Sequence, residues 1–515
     1  MVALCLLSCT KERQEPAARD LEGTVTWFQS PEQASFGTYY KPAVGTVADP
    51  MPFYDDVSGE WKIMYLQDFN PNQVATYHPF WAVSTKDAAS YTSLGELLHC
   101  GGENDQDAAL GTGSVIYNSA DGLYYVFYTG NKHNPSADEY AQAVLYATSS
   151  DFKTWTKNRS FILTGAQGGY SHNDFRDPAV FADESGLYHL VISTSRNGKG
   201  VLAEYTSSDL KNWEYKGDFM TMMWDRFYEC PDIFKMGDWW YLVYSELHSA
   251  VRKVQYFKSQ TLDGLKACTK NDAGLWPDDR EGFLDSRGFY AGKTASDGKE
   301  RYIWGWCAER PGSDNTKFYG WGGALVAHKL QQNSDNGTLV CVPVPAIADK
   351  FKGHEIVPQM KVSGEPAVTV GEGSWTVQES SYALFGRLGT CNSISFTARP
   401  SSSSDCFGIS FSRGSDSEKF YSLVFNPESP TLCKVNFEEE DADGNRTFIG
   451  GSDSIVFSLS DTYDIRIYTD NSVLTMYVND TLAYTCRIYS LLKNPWSVNA
   501  YSGSVTITDL KIAKY

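Results

Sequence analysis

The stretch Asp121-Gly122-Leu123-Tyr124-Tyr125-Val126-Phe127-Tyr128 reads as a tight turn feeding an aromatic, β-branched strand. The same pattern returns four more times: Glu60-Trp61-Lys62-Ile63-Met64-Tyr65-Leu66, Ser185-Gly186-Leu187-Tyr188-His189-Leu190-Val191-Ile192, Gly237-Asp238-Trp239-Trp240-Tyr241-Leu242-Val243-Tyr244 and Asp297-Gly298-Lys299-Glu300-Arg301-Tyr302-Ile303-Trp304. Counted from Trp61, Leu123, Leu187, Trp239 and Arg301, the steps are 62, 64, 52 and 62 residues. A recurrent period of this size leaves room for four strands per unit, so the spacing predicts a five-bladed β-propeller over residues 26–350. A large sandwich with chance spacing is the alternative. Two further stretches, Ala141–Asp151 and Val201–Asp209, resemble each other and run on to Trp155 and Trp213, as third strands followed by one kind of turn would.

Beyond Pro345 the texture changes. Ser393-Ile394-Ser395-Phe396-Thr397, Gly408-Ile409-Ser410-Phe411, Tyr463-Asp464-Ile465-Arg466-Ile467-Tyr468 and Val473-Leu474-Thr475-Met476-Tyr477-Val478 are short runs of mostly alternating apolar and polar residues. That period of two predicts a β-sandwich over 351–515, with Pro400–Asp405 as a polar loop inside it. The chain is therefore expected to be all-β: a propeller followed by a C-terminal sandwich.

Composition narrows the function classes. With 44 basic and 63 acidic residues the formal charge is −19, which argues against a nucleic-acid partner. No apolar run approaches the roughly 20 residues of a spanning helix. The 14 Trp, 32 Tyr and 27 Phe suit β cores, and also suit a protein that stacks rings on sugars. The 11 cysteines contain no Cys-x-x-Cys pair, so neither a zinc nor a redox framework is expected, and no metal or cofactor is called for. At the N-terminus, Leu6-Leu7-Ser8-Cys9 resembles a bacterial lipobox, with a polar stretch after it and no charged region before it. Residues 1–25 are expected to be a truncated lipoprotein signal and flexible arm, with Cys9 lipidated. The protein is then expected to be exported and held at the outer membrane only through that anchor. A plain disordered arm is the alternative.

A propeller offers one natural site, the mouth of its central channel, where the innermost strands deliver their side chains. Glycoside hydrolysis calls for two carboxyl groups there, one to attack or activate water and one to protonate the leaving oxygen. Three segments supply acids in phase with the repeat: Ala48-Asp49-Pro50-Met51-Pro52, Arg176-Asp177-Pro178-Ala179 and Glu229-Cys230-Pro231-Asp232. Each combines an acid, a nearby proline and an apolar strand, and each precedes one of the repeated strands. Asp49, Asp177 and Glu229 are expected at equivalent places in three blades, converging on the channel.

Arg-Asp-Pro followed some fifty residues later by Glu-Cys-Pro resembles glycoside hydrolase family 32, the invertase, inulinase and levanase family. The likeness extends to Tyr65-Leu66-Gln67-Asp68-Phe69-Asn70-Pro71, to Thr112-Gly113-Ser114 as the family's Ser-Gly-Ser turn, to Gly288-Phe289-Tyr290-Ala291, to Trp321-Gly322-Gly323 and to the C-terminal strands. The resemblance implies a retaining β-fructosidase acting on fructans, their oligosaccharides or sucrose. Asp49 would be the nucleophile, Glu229 the acid and then the base, and Asp177 the holder of sugar hydroxyls. It also assigns substrate contacts to Gln67, Trp81, Thr112, Ser114, Arg176 and Tyr290, with Trp81 either a stacking platform or core. The first motif departs from the family's usual Asn-Asp-Pro-Asn-Gly, so the sugar pocket is expected to be altered. A family 43-like hydrolase of pentose polymers and a non-catalytic glycan-binding lipoprotein are the competing readings.

Overall fold

Each aromatic repeat forms the second strand of a four-stranded antiparallel sheet. In the computed structural model, the described residues are 36–515 except 44, 69–77, 223–226, 248–252, 269–280, 364–367, 414–418, 442, 450–453 and 492–494. Cys9 and Phe69-Asn70-Pro71 lie outside them. Blade 1 comprises β1 (Thr46–Asp55), β2 (Glu60–Asp68), β3 (Phe80–Thr85) and β4 (Thr92–Leu98). Blade 2 follows with β5 (Ala109–Asn118), β6 (Leu123–Asn131), β7 (Gln142–Ser149) and β8 (Thr156–Lys157). Blade 3 is β9 (Phe175–Ala182), β10 (Tyr188–Arg196), β11 (Lys199–Ser207) and β12 (Glu214–Thr221). Blade 4 is β13 (Phe227–Met236), β14 (Trp239–Leu247), β15 (Val254–Ser259) and β16 (Glu281–Phe283). Blade 5 is β17 (Tyr290–Ser296), β18 (Arg301–Ala308), β19 (Gly323–Gln332) and β20 (Leu339–Val342).

The first strands β1, β5, β9, β13 and β17 pack side by side around the axis, and β17 returns to β1 to close the ring. Val47 also pairs with Gly323, so the first blade is stitched to the third strand of the last. Aromatic side chains from the second strands fill the space between blades; Trp61, Tyr65, Tyr241 and Trp304 belong to one continuous buried cluster. The third strands β7 and β11 end in the same turn. In each, a left-handed residue (Phe152 or Leu210) offers its carbonyl to the indole N–H of Trp155 or Trp213.

The helix Pro345–Lys350 follows the last blade. The sandwich beyond it has two antiparallel sheets. One contains Cys391–Pro400, Tyr463–Asp470, Val473–Val478 and Leu482–Arg487; the other contains Phe407–Phe411, Lys419–Ser429 and Leu432–Asp441. Their alternating apolar residues meet in a core where Phe385 stacks on Trp496 with ring centroids 4.7 Å apart. Polar groups join the two halves of the chain. Fully buried Arg487 donates from Nε to the Ala308 carbonyl (2.9 Å) and from Nη2 to the Cys307 carbonyl (2.8 Å). His328 of β19 lies 2.9 Å from Asp285 and 2.7 Å from the Tyr477 hydroxyl. The segment before β1 crosses this seam: the N–H groups of Gly37, Thr38 and Tyr39 all donate to Oδ2 of Asp470, at 2.9, 2.6 and 3.1 Å.

Candidate active site

All five inner strands carry a β-bulge at the same depth. In four of them a pair is set against one residue of the second strand: Asp49-Pro50 in β1, Asp177-Pro178 in β9, Cys230-Pro231 in β13 and Ala291-Gly292 in β17; in β5 the extra residue is Thr112, between Gly111 and Gly113, which pair with the adjacent Thr129 and Tyr128. A bulge leaves an unpaired N–H and turns the strand sharply, so proline at its second position costs no ladder bond. The first residue of four of them is left-handed: φ is 43° at Asp49, 57° at Asp177, 50° at Cys230 and 52° at Ala291. Such backbone is costly for residues with a Cβ, and it persists where the surrounding fold enforces it.

The bulges sort the site into tiers. Asp49 and Asp177 share the first bulge position, whereas Glu229 stands one residue earlier, level with Arg176 and Tyr290. The three acids are therefore not equivalent in register, as the sequence repeat suggests, yet they converge on one channel mouth. In the outer tier, Glu229 accepts a hydrogen bond from the Tyr290 hydroxyl (2.6 Å) and one from Arg176 Nη2 (3.2 Å). Arg176 also donates to Asp174 (2.8 Å), and its guanidinium lies 4.0 Å from the centre of the Phe227 ring. Behind it, the Gln142 side-chain oxygen accepts from the Phe175 N–H (3.1 Å), and its amide donates to Asn131 (3.0 Å). In the inner tier, the Trp306 indole donates to Asp49 Oδ1 (3.2 Å), and the Cys230 N–H donates to Asp177 Oδ2 (2.9 Å). Asp177 is 5 % exposed, while Asp49 and Glu229 stay partly open to the mouth.

Packing three carboxyls together changes their acidity. Burial, and then the charges of Asp177 and Glu229, push Asp49 up to about 7. Burial also raises Asp177, working against the neighbouring Arg176. Burial opposes the charge of Arg176 itself, but Asp177, Glu229 and Asp174 outweigh it and hold its pKa above the usual guanidinium value. Among the described residues, no group of three or more His, Cys, Asp or Glu side chains is arranged to hold a metal ion.

The other expected contacts divide. Arg176 and Tyr290 reach Glu229 directly. Thr112 occupies the bulge of blade 2, and its hydroxyl lies 3.4 Å from the Asp49 carbonyl; Thr112-Gly113-Ser114 is inner strand, not the expected turn. Ser114 points below the acids and accepts the Val180 N–H (2.9 Å), which ties blade 2 to blade 3. Gln67 is buried on β2, opposite Val47, and accepts from the Tyr65 hydroxyl (3.0 Å). Trp81 is core: it pairs with Tyr65 and packs in the aromatic cluster shared with blade 5, because alternation along β3 turns it to that face. Cys230, Trp306, Gln142 and Trp321 lie in segments that the sequence singles out but carry no role there, and Lys293 lies in none of them. The Trp321 ring is 6.2 Å from Trp306 and stacks on His78 at 4.4 Å, forming an aromatic wall beside Asp49. Lys293 was findable as a lone charge in the small, apolar strand Tyr290-Ala291-Gly292-Lys293-Thr294-Ala295.

Sequence and fold comparisons agree with this architecture. The glycosyl hydrolases family 32 N-terminal domain matches residues 39–343, and the C-terminal domain described as GH32, BT1760-like, matches 337–512. Beta-fructofuranosidase, insoluble isoenzyme CWINV2, of Arabidopsis thaliana is 25 % identical over 324 residues, which are 58 % of this chain and 53 % of that enzyme. The chain thus spans about half the length of this plant relative. Sucrose-6-phosphate hydrolase of Escherichia coli is 25 % identical over 408 residues, 76 % of each chain. Among solved structures, fructan 1-exohydrolase IIa from Cichorium intybus superposes with a TM-score of 0.71 at 15 % identity, covering 94 % of this chain and 98 % of that one. With its propeller and its sandwich each matched by a profile of that family, the chain belongs to glycoside hydrolase family 32.

Proposed function

We propose that the protein is a retaining glycoside hydrolase that cleaves β-fructosidic bonds in fructans, fructo-oligosaccharides or sucrose. The observation that carries this reading is the convergence of three inner-strand carboxyls, two of them open to the channel mouth and one buried beneath. Asp49 attacks the anomeric carbon of a fructosyl unit. The bond from that carbon to the leaving oxygen breaks as Glu229 delivers a proton to the oxygen. Glu229 then takes a proton from water, whose oxygen displaces Asp49 and restores the free carboxylate. Esterification removes the charge that burial and the neighbouring acids oppose at Asp49, so the site favours the covalent step. Asp177 accepts hydrogen bonds from sugar hydroxyls, and the Trp306–Trp321 wall faces the ring.

Membership of family 32 removes the family 43 alternative, and the intact trio weighs against a purely binding role. The test is incubation with levan, inulin, sucrose and arabinan, with the products identified. Fructose or fructo-oligosaccharides are expected. Asp49→Asn and Glu229→Gln are each expected to lower turnover by roughly a thousandfold or more while leaving the circular dichroism spectrum unchanged. Near wild-type rates in either variant, or binding of all four glycans without turnover, would overturn the proposal. We also place the protein outside the cytoplasm on a lipidated Cys9, a reading supported by Leu6-Leu7-Ser8-Cys9. Radiolabelled fatty acid should be incorporated by the wild type and not by Cys9→Ala.

A further inference from the structure

The acid-free bulge of blade 2 is the mechanical hub of the site. The Thr112 hydroxyl reaches the carbonyl of Asp49, and the next N–H, that of Gly113, lies 3.1 Å from the sulfur of Met51. The Thr112 carbonyl accepts the Thr129 hydroxyl (3.0 Å), whose oxygen in turn accepts the N–H of Asp177 (2.9 Å). The backbones that aim Asp49 and Asp177 are therefore both tied to this one bulge. Across the channel, Lys293 of β17 donates from Nζ to the Gly113 carbonyl at 2.6 Å. Lys293 is 3 % exposed and forms part of the wall of a cavity of about 210 Å³ that continues the channel below the acids. The charged and titratable groups around it are Asp49 and Tyr54 of β1, Arg176 and Asp177 of β9, Glu229, Cys230 and Asp232 of β13, and Arg301 of β18; β5 contributes none. Asp232 is already occupied by the backbone N–H and hydroxyl of Thr294, at 2.9 and 2.6 Å. Arg301 is spent on the Thr294 hydroxyl (2.7 Å) and on the face of Phe234. Arg176 is committed to the outer tier.

We propose that Lys293 is a positioning residue of the catalytic centre: its ammonium pins the blade 2 bulge that orients Asp49 and Asp177, and supplies the positive charge beneath them. The two parts of this role separate by substitution. Lys293→Gln keeps a donor for the Gly113 carbonyl and removes the charge; Lys293→Met removes both. Losing the cation raises the pKa of the acids, and Asp49 must be ionised to attack. The acid limb of the kcat/KM–pH profile is therefore expected to move to higher pH by about half a unit or more in both variants. Lys293→Met is expected to lose a further roughly tenfold in kcat relative to Lys293→Gln, with KM changed less than about threefold.

The inference rests on the acids acting as proposed above, and the controls keep the two readings apart. A wild-type protein with no turnover on any fructan sinks the functional reading by itself. Wild-type turnover with an unmoved acid limb in Lys293→Gln overturns the charge role. Lys293→Met within threefold of Lys293→Gln in kcat overturns the pinning role. Should Lys293→Met fail to fold, Thr129→Val cuts the same hub at another joint. It is then expected to lower kcat without moving the limb, and wild-type kcat in that variant would equally overturn the pinning role.

Discussion

At the scale of single residues, Asp49 shows what the site costs the fold. Its carboxyl is raised from the ordinary 3.8 to about 7. A raised acid contributes stability that is fully present below its unfolded value and is lost as pH climbs through the folded one. Between about pH 4 and pH 8 the wild type should therefore lose stability relative to Asp49→Asn, whose amide never ionises. We expect Asp49→Asn to melt within error of wild type at pH 4 and about 2 °C or more above it at pH 8, read by calorimetry across the range. Equal melting at both pH values would mean that the carboxylate is not penalised by its neighbours. Tyr290 makes a complementary prediction. Its hydroxyl lies 2.6 Å from Glu229 Oε2, so Tyr290→Phe should reduce kcat roughly tenfold with little change in KM. The three acids and Arg176 are legible because proline and periodicity flag their segments. Lys293 is marked only as a lone charge in a small, apolar strand and Trp306 only as one aromatic among several, and the ring of blades alone shows what each one faces. Trp81 stays open between platform and core in the sequence for the same reason: it is aromatic and sits near a family motif, but the face of β3 it occupies is set by pairing with Tyr65.

At the scale of elements, the repeated bulge is the device that turns a sheet into a site. In plain antiparallel pairing, residues 48–51 would alternate between channel and blade; the extra residue breaks that alternation and lets neighbouring positions such as Arg176 and Asp177 both serve the channel. The second-strand repeats were easy to read because their buried aromatic runs depend on composition alone. Bulges depend on register, which no single segment records, and this is why Glu229 was placed one residue out of step. The turn after the third strand was likewise seen twice through its Trp, while a third copy went unseen because Tyr91 replaces it, its hydroxyl donating to the Ala88 carbonyl at 3.0 Å. Gly113 tests the bulge directly. A Cβ there would stand 1.7 Å from the Phe127 carbonyl oxygen, an overlap with backbone that no rotamer relieves. Gly113→Ala should therefore cost several kcal/mol and remove activity. Gly298→Ala, at a turn with φ of 84° and open space around it, should cost only about 1 kcal/mol. Similar melting temperatures for the two variants would show that the blade 2 bulge has room to relax.

At the scale of the whole molecule, the question is what a sandwich does for a site built by the propeller. Among the described residues, no sandwich side chain hydrogen-bonds to Asp49, Asp177 or Glu229. The connection runs through β18. Trp306 holds Asp49, and the carbonyls of the next two residues, Cys307 and Ala308, are both clamped by the guanidinium of Arg487. Arg487 is itself steadied by the Ser472 hydroxyl at 2.8 Å, so the strand end behind Asp49 is fixed from the sandwich. Arg487→Met fills much of the same space but leaves two buried carbonyls without their donor, a loss of about 2–4 kcal/mol. If the sandwich only stabilises the fold, this variant should melt lower and keep the wild-type kcat at temperatures well below melting. If it also holds Asp49 in place, kcat should fall severalfold at the same temperatures while KM stays nearly constant. The second outcome is expected, because Trp306 sits one residue from the clamp and a small shift of its indole lengthens a 3.2 Å hydrogen bond to the Asp49 carboxylate. A wild-type kcat in a folded Arg487→Met protein would confine the sandwich to stability alone.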